Sequence, residues 1–140
     1  MRHLIATAFC ATALLTASLA GAASLTIRID DVGSSDGTLQ VALYNSTGTF
    51  LKKPVSATGE KAVKGSTTIV VKDLPAGDYA YAIFHDANGN GKMDANMMAI
   101  PTEDYTFSNN AFGKMGPPKF DDARFTLPAA GLDATVSLKH

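Results

Sequence analysis

Asp86, Asn88 and Asn90 alternate, Gly91 follows, and Asp94 closes the run. These residue types at this spacing belong to loops that wrap a hard cation in oxygen ligands. Side-chain oxygens at every second residue fall on one side. Gly91 permits a sharp turn, the Lys92 carbonyl is placed to ligate, and Asp94 binds directly or through water. The chemistry would be calcium (Ca2+) binding. One ligand is missing, however. The helix-flanked version of such a loop carries a bidentate Glu at its twelfth position, and here that position is Met97. Glu103 and Asp104, or Asp121 and Asp122 further on, are the carboxylates available to replace it. With only Asp86 and Asp94 as assured charges, the expected affinity is weak, about 10⁻⁴–10⁻³ M, which serves outside the cytoplasm. The competing reading is a polar turn whose Asn-Gly steps simply reverse the chain.

Other chemistry has less support. His85 adjoins Asp86 and is a candidate base or transition-metal ligand. It has no His or Cys at ligand spacing, and zinc held by one His plus carboxylates is uncommon. No Ser stands in a nucleophile-elbow context, and there is no phosphate-cradling glycine loop. An enzyme would need His85 open to a pocket with a second acid or base in reach. Tyr105, Phe107 and Phe112 offer a surface on which a ligand or protein partner could stack, although aromatics in a folded-back loop more often serve as core. The reading is thus a non-enzymatic calcium-binding protein. The alternative is a ligand- or protein-binding module that uses the aromatic loop, any ion being incidental.

The cation loop must be held by strands. Tyr79, Tyr81 and Ile83 alternate with Ala80, Ala82 and Phe84, and this strand, 78–84, runs directly into the loop. Both its faces are apolar, yet a sandwich buries one face of each strand. Something must cover the other. The excursion 85–118 is too long for a plain connector and carries Ile100, Tyr105, Phe107, Phe112 and Met115. Part of 95–116 is therefore expected to pack across the outer face, bringing Glu103 or Asp104 back towards Asp86 and Asp94.

Elsewhere, Leu25, Ile27 and Ile29 alternate with polar residues, as do Leu39, Val41 and Leu43. Segments 24–31 and 38–45 read as a hairpin across the turn Val32–Gly37. Residues 46–59 read as loop, with Phe50 and Leu51 as a plug and Pro54 barring a central strand. A strand follows at 66–72, then a turn at Asp73–Asp78. Phe120 and Ala123 mark one helical turn, Phe125 and Leu127 a strand, and Leu132 to Leu138 the last strand. The fold class is all-β: an antiparallel β-sandwich of about seven strands, prealbumin- or Ig-like, with one long loop excursion.

Residues 1–22 read as a signal peptide. Arg2 and His3 precede the uncharged run Leu4–Leu19, which is short of the roughly 20 residues a membrane span needs. Ala20-Gly21-Ala22 supplies the small residues of a cleavage site. Cleavage leaves 140 − 22 = 118 residues, one domain at 23–140. That part has no cysteine, 12 − 1 = 11 basic and 13 acidic side chains, and no basic run. Disulfides are excluded, and nothing favours nucleic acid or an anionic membrane surface. The expected location is periplasmic or secreted, with no transmembrane segment after cleavage; a protein or envelope partner is open.

From Asp73 onward the chain resembles a known family. The carriers are Asp73-Leu74-Pro75-Ala76-Gly77-Asp78-Tyr79-Ala80, then Phe84-His85-Asp86 with Asn88-Gly89-Asn90-Gly91 and Asp94. Pro101 with Glu103, Phe107-Ser108-Asn109-Asn110-Ala111, and Gly116-Pro117-Pro118 with Phe120 and Ala123 continue it. They resemble domain-of-unknown-function family 2141, a set of small exported bacterial proteins. The resemblance implies a secreted or periplasmic β-sandwich and brings no established activity. The turn Leu74–Tyr79 is also similar to that of transthyretin-like and carboxypeptidase-regulatory-like sandwiches, which bears on fold alone.

Overall fold

Eight strands build two sheets in the computed structural model, which describes residues 22–140. The expected signal peptide lies outside the described residues apart from its last position. The strands are β1 (Ala23–Val32), β2 (Thr38–Tyr44), β3 (Ser56–Lys61), β4 (Gly65–Leu74), β5 (Gly77–Asp86), β6 (Tyr105–Phe107), β7 (Phe125–Leu127) and β8 (Leu132–Ser137). A helical turn, α1, covers Phe120–Ala123. One sheet has the order β4-β1-β8. The other runs β3-β2-β5-β6, with β7 also paired to β5. The β-sandwich holds, with eight strands rather than seven, and one pair departs from antiparallel: β1 and β8 run in the same direction.

Alternation predicts the buried faces. Leu25, Ile27 and Ile29 of β1, Leu39, Val41 and Leu43 of β2, Ile69 and Val71 of β4, and Val136 of β8 meet in the core between the sheets. Burying each such side chain contributes about 1.5–3 kcal/mol. Alternation does not name a partner, and the expected β1–β2 hairpin is wrong. β1 pairs with β4 and β8, and β2 with β3 and β5. The turn after β1 therefore carries the chain from one sheet to the other. β3 begins within the segment 46–59 read as loop and runs two residues past it; its sequence, Ser-Ala-Thr-Gly-Glu-Lys, is polar because it forms an edge with little to bury.

β5 is buried on both faces, as its sequence requires. Tyr79, Tyr81 and Ile83 enter the main core. On the other face, Ala80 meets a second cluster of Tyr44, Phe50, Phe107, Phe120 and Ala123. Only part of the expected cover comes from 95–116. Phe107 and Ala111 contribute, but Met97, Met98, Ile100 and Met115 are exposed, and Phe50 and α1 complete the layer. The alanines of β5 leave a shallow floor that aromatic rings fill edge to face, as Phe50 does against Tyr44 and Phe120.

The far edge of β5 is divided. Residues Gly77–Tyr79 pair with β7, and Ala82–Phe84 pair with β6. Tyr81 falls between, and its N–H donates to the Ser108 hydroxyl at 3.0 Å. That hydroxyl in turn donates to the Ala123 carbonyl at 2.5 Å. Asn109, in the left-handed region (φ 61°), donates to the Arg124 carbonyl, and the Asn110 side-chain oxygen accepts from Ser137 N–H. The Phe-Ser-Asn-Asn-Ala segment is thus a structural junction.

Candidate metal centre

β5 carries Asp86 to the end of the sheet and buries it, at 2% exposure. Its two carboxylate oxygens accept from the backbone N–H groups of Asn90 (3.1 Å) and Gly91 (2.8 Å). Those bonds draw 86–91 into a ring. Gly89 and Gly91 sit at φ 70° and 74°, the left-handed conformation that glycine adopts without strain. The Asn88 side-chain oxygen accepts from Asn90 N–H at 3.2 Å, and that of Asn90 from Lys92 N–H at 2.9 Å. In each amide the oxygen is therefore the atom turned to the backbone N–H, because a flipped amide would set N–H against N–H.

Asp94 closes the loop. Its carboxylate accepts from the Asn88 amide at 2.5 Å and the Asn90 amide at 2.7 Å. Those bonds, Asn90's first, hold its carboxyl below the ordinary range. Lys92 is exposed, and its carbonyl accepts no hydrogen bond among the described residues. Glu103 returns to the loop, where Oε2 accepts from Asp94 N–H at 3.4 Å. Burial pushes its carboxyl up from the ordinary value, and the neighbouring Asp94 and Asp86 add to that. Its Oε1 is buried without a partner among the described residues. An orphaned carboxylate oxygen next to two other carboxylates is a costly arrangement that a cation would relieve.

The six expected ligands thus occupy one loop and its return. Three of them, Asp86, Asp94 and Glu103, bring carboxylates. Among the described residues no three His, Cys, Asp or Glu side chains form a group that would hold a metal unaided. A cation here would have to draw on amide and carbonyl oxygens as well, a donor set that would suit calcium and not zinc. Asp104 goes elsewhere: its side chain pairs with His140 at 2.8 Å and its carbonyl accepts from His85 N–H. Asp121 and Asp122 lie on α1, Asp121 paired with Arg124 at 3.7 Å and Asp122 accepting from Lys119 N–H. His85 is 3% exposed and its Nε2 lies 2.6 Å from the Asp36 carbonyl.

A support absent from the sequence reading is the turn at Asp36–Gly37. A Cβ on Gly37 would run into the Asp86 carbonyl, and Gly37 itself is left-handed, at φ 62°. The Asp-Gly pair was a visible turn signal, but nothing local shows what the turn touches. The three rings of the excursion stack on one another: Tyr105 on Phe107 and Phe112, and Phe107 on Phe112. Phe112 is the one of the three exposed beyond a third.

A family model described as an uncharacterized protein conserved in bacteria, DUF2141, matches residues 27–135. The chain belongs to this family. Its match spans both sheets and the whole cation loop. No curated protein and no solved structure matches the chain. Membership carries no activity with it, so the role of this DUF2141 chain is argued from its own residues.

Proposed function

We propose that this is an exported, non-enzymatic β-sandwich protein of the periplasm or cell exterior, in which the 86–94 loop and Glu103 bind one calcium ion. Asp86, Asn88, Asn90 and Asp94 would supply side-chain oxygens, Lys92 its carbonyl, and Glu103 the carboxylate that Met97 does not provide. The ion's task is structural: it fastens the excursion to the end of β5. The observation that carries this reading is the approach of Glu103 to Asp94 with one carboxylate oxygen buried and unpartnered.

The loop is ordered by its own hydrogen bonds, which lowers the entropy cost of capture. Low ligand charge keeps affinity near millimolar, suited to a compartment where calcium is abundant. Calorimetric titration with calcium, together with thermal melting, tests the reading. The expected outcome is saturable heat and a rise in melting temperature; at tenfold excess over Kd, the ion adds about 1.4 kcal/mol, roughly 5 °C for a domain of this size. No heat and no shift at millimolar calcium would sink it.

A further inference from the structure

Methionine is among the residue types most often buried, because its flexible thioether fills gaps in a core. Here that pattern is reversed. Among the described residues all four methionines, Met93, Met97, Met98 and Met115, are exposed, and neither core cluster contains one. Met97 and Met115 are fully open to solvent, at 105% and 102% exposure, and Met93 is the most shielded, at 38%. The backbone holds them there. Residues 95–101 form a small hairpin, bridged from Ala95 to Pro101, in which the Asn96 N–H donates to the Ile100 carbonyl at 2.8 Å. The Asn96 side-chain oxygen accepts from the N–H groups of Met98 (2.9 Å) and Ile100 (3.1 Å), which puts Met97 and Met98 at the tip. Met115 stands on a second turn. There the chain doubles back so closely that a Cβ on Gly113 would run into the Gly116 and Pro117 carbonyls.

Leu or Ile at these positions would expose apolar surface and react with nothing, whereas a thioether is oxidised. Residues 23–140 contain no cysteine, so no thiol there competes for an oxidant. We propose that the exposed methionines of the excursion form a reversible oxidation site for hydroperoxides. The sulfur lone pair attacks one peroxide oxygen, an S–O bond forms as the O–O bond breaks, and the other oxygen takes up the proton and leaves as water or an alcohol. Sulfur gives up two electrons and the peroxide gains them. In a core the polar sulfoxide would disrupt packing; at these positions it stands in water and the fold is untouched. A sulfoxide reductase reverses the step with two thiols, yielding the thioether, a disulfide and water. Met97, Met98 and Met115 project from the folded chain as such an enzyme requires. The site is independent of the calcium reading.

The test treats the folded protein with hydrogen peroxide in calcium-free buffer, so that its outcome does not depend on the cation loop. Oxygen uptake at each methionine is followed by peptide mapping and mass spectrometry, beside N-acetylmethionine amide as the free standard. Met97 and Met115 should oxidise within about threefold of the standard rate, with Met93 the slowest of the four. The oxidised protein should melt within about 3 °C of the untreated one. A pair of methionine sulfoxide reductases, one for each sulfoxide epimer, should then return the folded protein to its starting mass with dithiothreitol as the thiol source. A variant combining Met97→Leu, Met98→Leu and Met115→Leu should take up oxygen at Met93 alone of the four. Slower oxidation of Met97 and Met115, a larger fall in melting temperature, or sulfoxides repaired only after denaturation would overturn the inference.

Discussion

Asp86→Ala removes two things together, a cation ligand and the acceptor of two loop N–H groups. The variant should lose the calcium-dependent rise in melting temperature, and equal gains in variant and wild type would rule Asp86 out as a ligand. From sequence alone, the two would melt alike without calcium. The structure changes that expectation: with Asp86 buried and bonded to Asn90 and Gly91, the calcium-free variant should itself be weaker by about 1–3 kcal/mol. Glu103 acts with the opposite sign. Its carboxyl is raised above 4.5 by burial, so just above that value the folded chain keeps a proton that the unfolded chain has released. Its contribution is full below the unfolded value and is lost as pH rises through the folded one. Without calcium, Glu103→Gln should therefore gain on wild type between about pH 4 and about pH 7, followed by denaturant unfolding. With calcium the order should reverse, because the variant lacks the charged ligand. A variant that trails wild type equally at both pH values, without calcium, would contradict the burial argument.

At the scale of elements, the junction on β5 invites a sharper test than any core residue. Ser108→Ala leaves Tyr81 N–H and the Ala123 carbonyl unpaired inside the protein, at a cost of about 1–3 kcal/mol, visible in denaturant midpoints with or without calcium. Gly37→Ala should also destabilise, through its left-handed backbone and its contact with Asp86, and should weaken calcium binding too; an unaffected calcium midpoint would separate the turn from the loop. Neither role was legible in sequence. Periodicity marks the face a residue presents, which is why the buried positions of β1, β2, β4 and β5 could be read. It says nothing of which strand lies alongside, so β1 and β2 were paired wrongly. The oxygen spacing of 86–94 was visible because ligands cluster locally. The return of Glu103 was reached by arguing that apolar side chains must cover β5. That cover proved to be largely Phe50, Phe107 and α1, with the Met97–Met98 segment turned to solvent.

For the molecule as a whole, the parallel pairing of β1 with β8 sets how it bears tension. Six positions are in register, from Leu25 opposite Leu132 to Asp30 opposite Ser137. A pull applied at residues 23 and 140 draws the two strands past each other lengthwise. Their hydrogen bonds then share the load and must fail together. The antiparallel pair β2–β3 opens differently: handles at Thr38 and Lys61, which face each other at its open end, part the bonds one after another. Residues 23–140 contain no cysteine, so thiol handles placed at either pair of positions would be unique there. Single-molecule stretching should give a markedly higher rupture force for the 23/140 geometry than for 38/61, and equal forces would show that β1–β8 is not the clamp. A sandwich built this way resists being drawn out by its ends, a mechanical strength that its equilibrium stability does not reveal.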